Sequence, residues 1–285
     1  MTERIRPSGR LSRGREPRMF DLTGRTAVVT GALGHLGPVW IKALLSAGAR
    51  VAGLDLQDAP NSTAFELLVA EFGEDYLCLY RADVLNRPSL EKARSSCSDD
   101  LGVPTILVNN AGIDQPPGAA TESHQLHEIP ADMFSEVLNV NVAGAFLVSQ
   151  VFGEEMVRCG NGSIINIGSL YASVSPDARL YDHIDVDPPF LKPPAYGASK
   201  AGLVNLTKYL ATHWGPYGVR VNALSPGGVL GDQDEQFKDK FVARVPLGRM
   251  AEEPDLIGPL LFLASDASSY VTGTELRIDG GFTAW

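Results

Sequence analysis

Between the apolar run Thr26 to Val29 and a helical pattern carried by Val39, Trp40, Leu44 and Leu45, the chain places glycines at positions 31, 34 and 37. A glycine-rich turn from a strand into a helix brings backbone N–H groups and the positive end of the helix dipole close to an anion, the geometry that cradles a pyrophosphate. A second strand-like run, Arg50 to Leu54, ends in Asp55, where a carboxylate can accept hydrogen bonds from ribose hydroxyls. Few folds accommodate strand, turn, helix, strand and acid in that order. The turn residues Gly31, Leu33, Gly34, His35, Leu36 and Gly37, with Asp55 and Leu56, are the candidate contacts of a dinucleotide. An acid at position 55 repels a 2′-phosphate, and no Lys or Arg stands in the turn or at 56–58, so the expected cofactor is NAD(H) rather than NADP(H).

Farther along, Tyr196 and Lys200 stand four residues apart at the start of an apolar-periodic run, Ala201 to Leu210. On a helix these two side chains share a face. A free phenol titrates near pH 10, and a cation held close favours the phenolate, so the pair is a candidate proton-transfer device.

Together these features resemble the short-chain dehydrogenase/reductase superfamily, from about Phe20 to the C-terminus. Further motifs in the family's order extend the likeness: Asp83 and Val84 after the third strand; Asn109, Asn110, Ala111 and Gly112 after the fourth; and Asn141 within a helix. Ser169 follows at a strand end, then Pro226 and Gly227 with Val229 close behind, and Asp279, Gly280 and Gly281 near the end. The resemblance implies a Rossmann-type doubly wound parallel β-sheet with helices on both faces, in one α/β domain. It implies that Asn141, Ser169, Tyr196 and Lys200 form a catalytic tetrad, and that Asp83, Val84, Asn110, Ala111, Gly112, Pro226, Gly227 and Val229 add to the cofactor contacts. In those terms Tyr196 is the general acid/base, Ser169 stabilises charge on the same substrate oxygen, Lys200 lowers the Tyr196 pKa and bonds the nicotinamide ribose, and Asn141 holds a relay water. The reaction implied is hydride transfer between a secondary alcohol and a ketone.

Three departures from the family pattern stand out. The glycine spacing, with His35 where a glycine is usual, is similar to that of the extended branch that includes sugar-nucleotide epimerases. No threonine follows the Pro226-Gly227 turn. Ser169 and Tyr196 lie 27 residues apart, against about a dozen in the family, and the excess, Tyr171 to Pro194, is rich in Pro and Asp. Such a segment must loop out beside the site, and loops on a rigid scaffold commonly set specificity. Its many polar and few apolar side chains favour a polyhydroxylated substrate. Tyr171, Arg179 and Tyr181 join Ser169 and Tyr196 as candidate substrate contacts, Arg179 for an anionic group. The segment also resembles that of dehydrogenases linked to bacterial sugar and glycan pathways.

Residues 1–18 carry six arginines against two glutamates and too little apolar surface to offset ordering, so they read as a disordered basic extension before a domain spanning 19–285. Without them, 18 basic residues face 32 acidic ones, a net of −14 that disfavours nucleic acid as a partner. Three widely spaced cysteines, with no secretory h-region and no long apolar span, point to a cytoplasmic protein that does not engage a membrane. His124 and His127 with Glu122 and Glu128, or His183 with Asp182, Asp185 and Asp187, could gather a metal, but hydride chemistry needs none and no metal is expected. Apolar residues spread around most of the helix from Asp132 to Arg158, and the family resemblance implies a homotetramer, or a homodimer, through that surface. Three functions remain: an NAD-dependent dehydrogenase of a small sugar-like or sugar-acid molecule, a redox-neutral sugar-nucleotide enzyme with tightly bound NAD, and a non-catalytic NAD-binding regulator.

Overall fold

The computed structural model describes residues 19–114 and 124–285. The basic extension at 1–18, and with it that domain boundary, lies outside the described residues, as does Glu122. Seven strands form one sheet: β1 (Thr26–Thr30), β2 (Arg50–Asp55), β3 (Leu77–Arg81), β4 (Pro104–Asn109), β5 (Gly162–Ile167), β6 (Val219–Pro226) and β7 (Glu275–Ile278). Their order is β3-β2-β1-β4-β5-β6-β7, and every pairing is parallel. Strands buried on both faces read as near-continuous apolar runs, and β1 and β5 are buried at every position.

Helices cover both faces of the sheet. On one face α1 (Gly37–Ser46) and α2 (Thr63–Phe72) cover the β1–β3 half, and the late helix α8 (Glu253–Ala264) covers the other half. Trp40, Ile41, Leu44, Leu256, Leu260 and Leu263 form the core there. Opposite them lie α3 (Arg87–Asp100), α4 (Ala131–Leu138), α5 (Ala145–Cys159) and α6 (Pro194–Trp214), with Leu90, Val148, Phe152, Met156 and Leu210 against the sheet. One more helix, α7 (Glu235–Val242), sits away from both cores.

The continuous helix expected from Asp132 to Arg158 is interrupted by a π-helical segment, Asn139–Gly144. One extra residue per turn there shifts the register between α4 and α5, and π segments commonly mark functional positions. The run Ala131–Cys159 is long and apolar enough by composition to cross a bilayer, but α5 packs on β4 and α3 and 44% of that run's most apolar stretch is buried within the protein.

The 171–194 segment is more ordered than its composition suggests. It contains a short 3-10 turn at Ala178–Leu180, and its few apolar side chains, Leu180, Tyr181 and Phe190, pack with Phe237 and Phe241 of α7 and with Met250 into a third, satellite core. Tyr181 lies 5.2 Å from Phe190 and 5.5 Å from Phe237, centroid to centroid.

Phe152 is 1% exposed at the centre of the second core. Phe152→Ala should therefore cost about 3–5 kcal/mol of unfolding free energy, read as a lowered midpoint in urea with the slope unchanged.

Candidate active site

The strand order reverses between β2-β1 and β4, so the connections leaving β1 and β4 run to opposite faces and a crevice opens at their carboxyl ends. Asn110 spans it. Its Nδ2 donates to the carbonyls of Thr30 (2.9 Å) and Gly31 (3.1 Å), and its Oδ1 accepts from Trp40 Nε1 (2.8 Å). The Thr30 hydroxyl returns the contact, accepting from the backbone of Asn110 and Ala111 at 3.1 and 3.0 Å. Thus one side chain fixes the glycine turn to the β4 exit.

The turn is packed as tightly as its glycines allow. Gly31 has φ +64°, and a Cβ on Gly37 would sit 2.4 Å from the Gly31 carbonyl oxygen. Helix α1 has no side-chain cap and no acid in its first turn, which leaves its dipole available to an anion. Asp55 is oriented by two backbone donors, Leu33 N (2.8 Å) and Leu56 N (2.9 Å). Asp83 and Val84 follow β3 on the same side, where the Asp83 carboxylate accepts from Leu85 N. These features fit a dinucleotide: close backbone approach at one end, an ordered carboxylate at the other.

A cleft of about 740 Å³ runs from this turn across the ends of β4, β5 and β6. Gly31, Gly34, His35, Leu36, Asn110, Ala111 and Gly112 line one end, and Ser169, Tyr196, Lys200, Pro226, Gly227 and Val229 the other. Leu33, Gly37, Asp55, Leu56, Asp83 and Val84 are not part of its lining. Where the family's threonine is missing, Gln233 closes the loop, donating to Val229 O (3.0 Å) and accepting from Gly231 N (2.9 Å).

Tyr196 and Lys200, one turn apart on α6, both face the cleft. Lys200 Nζ donates to Ile167 O at 2.7 Å and lies 5.6 Å from the centre of the Tyr196 ring. Burial pushes the Lys200 ammonium down to about 8. It pushes the Tyr196 phenol above its ordinary value, Asp114 adds to that, and a hydrogen bond with Ser169 opposes it. Desolvation, rather than the lysine charge, thus dominates the phenol here. The Asn141 side chain, in the π-helical segment, is taken up by Ile113 N (2.8 Å), Ile113 O (3.1 Å) and Ser199 Oγ (3.0 Å), which ties the β4 exit to α6.

Of the segment residues expected to meet substrate, Tyr171 stands edge-on to Tyr196 at 6.4 Å and shares a hydrogen bond with Tyr181 at 3.1 Å. Tyr181 is 2% exposed inside the satellite core. Arg179 points away: its side chain is 79% exposed, its guanidinium is engaged with the Asp177 carboxylate, and it lines neither the cleft nor the cavity beside it. Two further polar residues of the segment meet α7 and the residue that caps it, Asp182 with Lys240 and His183 with Asp234, whereas Lys192 reaches the site. The physical reason is that the buried Leu180 and Tyr181 dock the segment, which leaves the adjoining Arg179 outward. No group of three or more potential metal ligands occurs among the described residues.

Several contacts of the site escaped sequence reasoning. Asp114 and Lys192 form an ion pair at 2.7 Å beside Tyr196, with the Lys192 ammonium 5.3 Å from the ring centre. Asn109 bonds Ser149 and Asn166, and Asn166 bonds Thr207, a buried polar chain linking β4, β5, α5 and α6. Arg81, on β3 rather than β2, donates to the carbonyls of Leu56 (2.8 Å) and Ala59 (3.0 Å) and so holds the loop after Asp55.

Comparison with known proteins decides the family. A family model described as enoyl-(acyl carrier protein) reductase matches residues 36–283. The chain belongs to the short-chain dehydrogenase/reductase superfamily. It is 34% identical to the D-threitol dehydrogenase of Mycolicibacterium smegmatis, covering 93% of this chain and 95% of that one. A Leptospira borgpetersenii short-chain dehydrogenase structure with bound NAD+ superposes with TM-score 0.80 at 32% identity, over 97% and 100% of the two chains. A Burkholderia cenocepacia gluconate 5-dehydrogenase structure with NADP and tartrate gives 0.78 at 29% identity, over 94% and 98%. The protein is an NAD(P)-dependent oxidoreductase with a single Rossmann-type domain.

Around the Tyr196 phenol stand Lys200 from its own helix, Ser169 and Tyr171 from the β5 exit, Asp114 from the β4 exit and Lys192 from the segment. Asp114 disfavours the phenolate, so removing its charge lowers the phenol pKa. In Asp114→Asn the rising limb of kcat/KM against pH for alcohol oxidation should move to lower pH by up to about one unit. An upward shift or none would contradict this electrostatic account.

Proposed function

We propose that the protein is an NAD-preferring dehydrogenase that interconverts a secondary alcohol and a ketone on a small polyhydroxylated molecule. The observation that carries this reading is the convergence of Ser169, Tyr196 and Lys200 on one wall of the cleft, next to the glycine turn. In oxidation, Tyr196 as phenolate takes the substrate hydroxyl proton while the carbinol C–H bond breaks with its electron pair. The nicotinamide, when bound, supplies the hydride acceptor. Ser169 donates to the substrate oxygen and stabilises the charge that develops there. Lys200, one turn from Tyr196 on α6, would as an ammonium favour the phenolate and bond the nicotinamide ribose when the cofactor is bound. Asn141 is a positioning residue, since its amide joins Ile113 to Ser199 on the helix that carries the tyrosine and lysine.

The substrate class draws support from the names of relatives, which include D-threitol dehydrogenase and galactitol 2-dehydrogenase. The cofactor preference rests on Asp55, whose ordered carboxylate stands where a 2′-phosphate would be repelled. A homotetramer is the proposed assembly, with half-exposed apolar groups such as Phe146 on α5 available to a second copy.

Absorbance at 340 nm, with NAD+ and a panel of polyols, sugars, sugar acids and simple secondary alcohols, tests the reading. Reduction of NAD+ on polyhydroxylated compounds, lost by a factor of about 10² or more in Tyr196→Phe, is the expected result. Turnover of apolar alcohols alone would overturn the substrate class, and release of bound NAD with no net redox change would favour the sugar-nucleotide alternative. For the cofactor, Asp55→Asn should raise kcat/KM with NADP+ relative to NAD+ by about tenfold or more, with Arg81 the nearby cation able to meet the phosphate.

A further inference from the structure

His35 stands in the glycine turn where a glycine is usual, and the proton and hydride steps make no use of it. It is exposed, has an ordinary negative φ and lines the cleft, as do Gly231, Asp232 and Gln233 across from it. The imidazole reaches over to them. A Cβ on Gly231 would lie 3.7 Å from His35 Nε2 and 3.6 Å from the amide nitrogen and oxygen of Gln233. His35 therefore bridges the two lips of the cleft, from the turn after β1 to the loop after β6.

The two lips differ in how firmly they are held. On the β6 side, Ala251 N donates to Gly228 O and Leu230 N to Ala251 O, both at 2.8 Å. A Cβ on Gly228 would sit 2.6 Å from the Phe241 ring, and Gln233 ties Val229 to Gly231. That loop is a fixed wall. The His35 imidazole, by contrast, has no hydrogen-bond partner among the described residues. A histidine carries at least one N–H donor whether neutral, in either tautomer, or protonated, so its donor is available to a ligand.

His35 spans the end of the cleft where the α1 N-terminus faces an anion. Among the described residues that line the cleft, the one Lys or Arg is Lys200, beside Tyr196 and bonded to the Ile167 carbonyl. At the turn, the Asn110 amide is taken up by Thr30, Gly31 and Trp40, and Gln233 is bonded within its own loop. Asp232 brings a like charge to the same end. A pyrophosphate there meets backbone N–H groups, the helix dipole and His35, the side-chain donor at that end with no bond inside the described protein.

We propose that His35 clasps the bound dinucleotide from the exposed side of the turn, its imidazole N–H donating to the pyrophosphate while the Gln233-held loop limits how far the ring can swing, so that the cofactor is released slowly. The proposal rests on the dinucleotide reading of the cleft. It is independent of the substrate class and of the preference for NAD, since the pyrophosphate is common to both cofactors. His35 is a binding residue, and Gln233 positions the loop that faces it.

The test is binding of NADH and of NADPH to the full-length protein without substrate, read by nucleotide fluorescence, with stopped-flow displacement for the release rate. Adenosine, which lacks the pyrophosphate, serves as a competing ligand. In His35→Ala, NADH and NADPH should each bind about tenfold more weakly, mainly through faster release, with adenosine unaffected. His35→Gln, whose amide N–H reaches about as far as imidazole Nε2, should recover most of the loss. Gln233→Ala should speed release by a smaller factor and add nothing to His35→Ala, because the loop then has no ring to confine. Unchanged NADH affinity in His35→Ala, an equal loss for adenosine, or no recovery in His35→Gln overturns the proposal and leaves the dinucleotide reading standing. Absence of NADH and NADPH binding to the wild type removes that reading and the proposal with it.

Discussion

The tie between β1 and β4 at their carboxyl ends is the constraint on which the site depends. Parallel strands whose connections leave toward opposite faces would splay there, and the Asn110 amide, bonded to Thr30, Gly31 and Trp40, holds the gap at a fixed width. Because Trp40 is fully buried in the first core, this polar tie is anchored in hydrophobic packing rather than in a mobile loop. A half-buried amide with its donors and acceptor satisfied is a rigid element, and removing it would leave the buried Trp40 indole N–H unpaired, which costs more than the net worth of one bond.

From that tie outward the catalytic groups are placed by regular elements. Ser169 sits just past β5, Tyr196 and Lys200 one turn apart on α6, and Asn141 on a π-helical segment that turns its amide toward Ile113 and Ser199. The buried chain from Asn109 through Asn166 to Thr207 locks β4, β5 and α6 together below them. Elements this constrained can hold a phenol and an ammonium nearly dehydrated without letting either swing away. Desolvation raises the phenol and lowers the ammonium from nearly equal ordinary values, so burial drives the two apart.

The long segment ahead of α6 shows how specificity can be built on such a frame. Its own apolar residues and those of α7 form a separate small core, so it is held as a wall rather than a flap. Once Leu180, Tyr181 and Phe190 are committed inward, the polar residues between them must face outward, and Arg179 goes with them. Only near the end of the segment, as the chain turns into α6, does a charged side chain, Lys192, reach the tyrosine.

The sequence by itself determined what depends on local spacing. The glycine turn, the acid ending the second strand and the tyrosine and lysine one turn apart all follow from short-range stereochemistry, and the structure has the turn, helices and strands where those patterns put them. The fold class, a parallel sheet with helices on both faces, was also expected from the sequence, whereas the strand order was read from the structure. Tertiary structure alone decided the π segment that breaks the α4–α5 run, the balance between burial and charge at Tyr196, and which of the segment's cations stands beside it. An irregular segment has no period from which side-chain direction can be read. Asp114 and Lys192 are 78 residues apart, and only packing could make them neighbours.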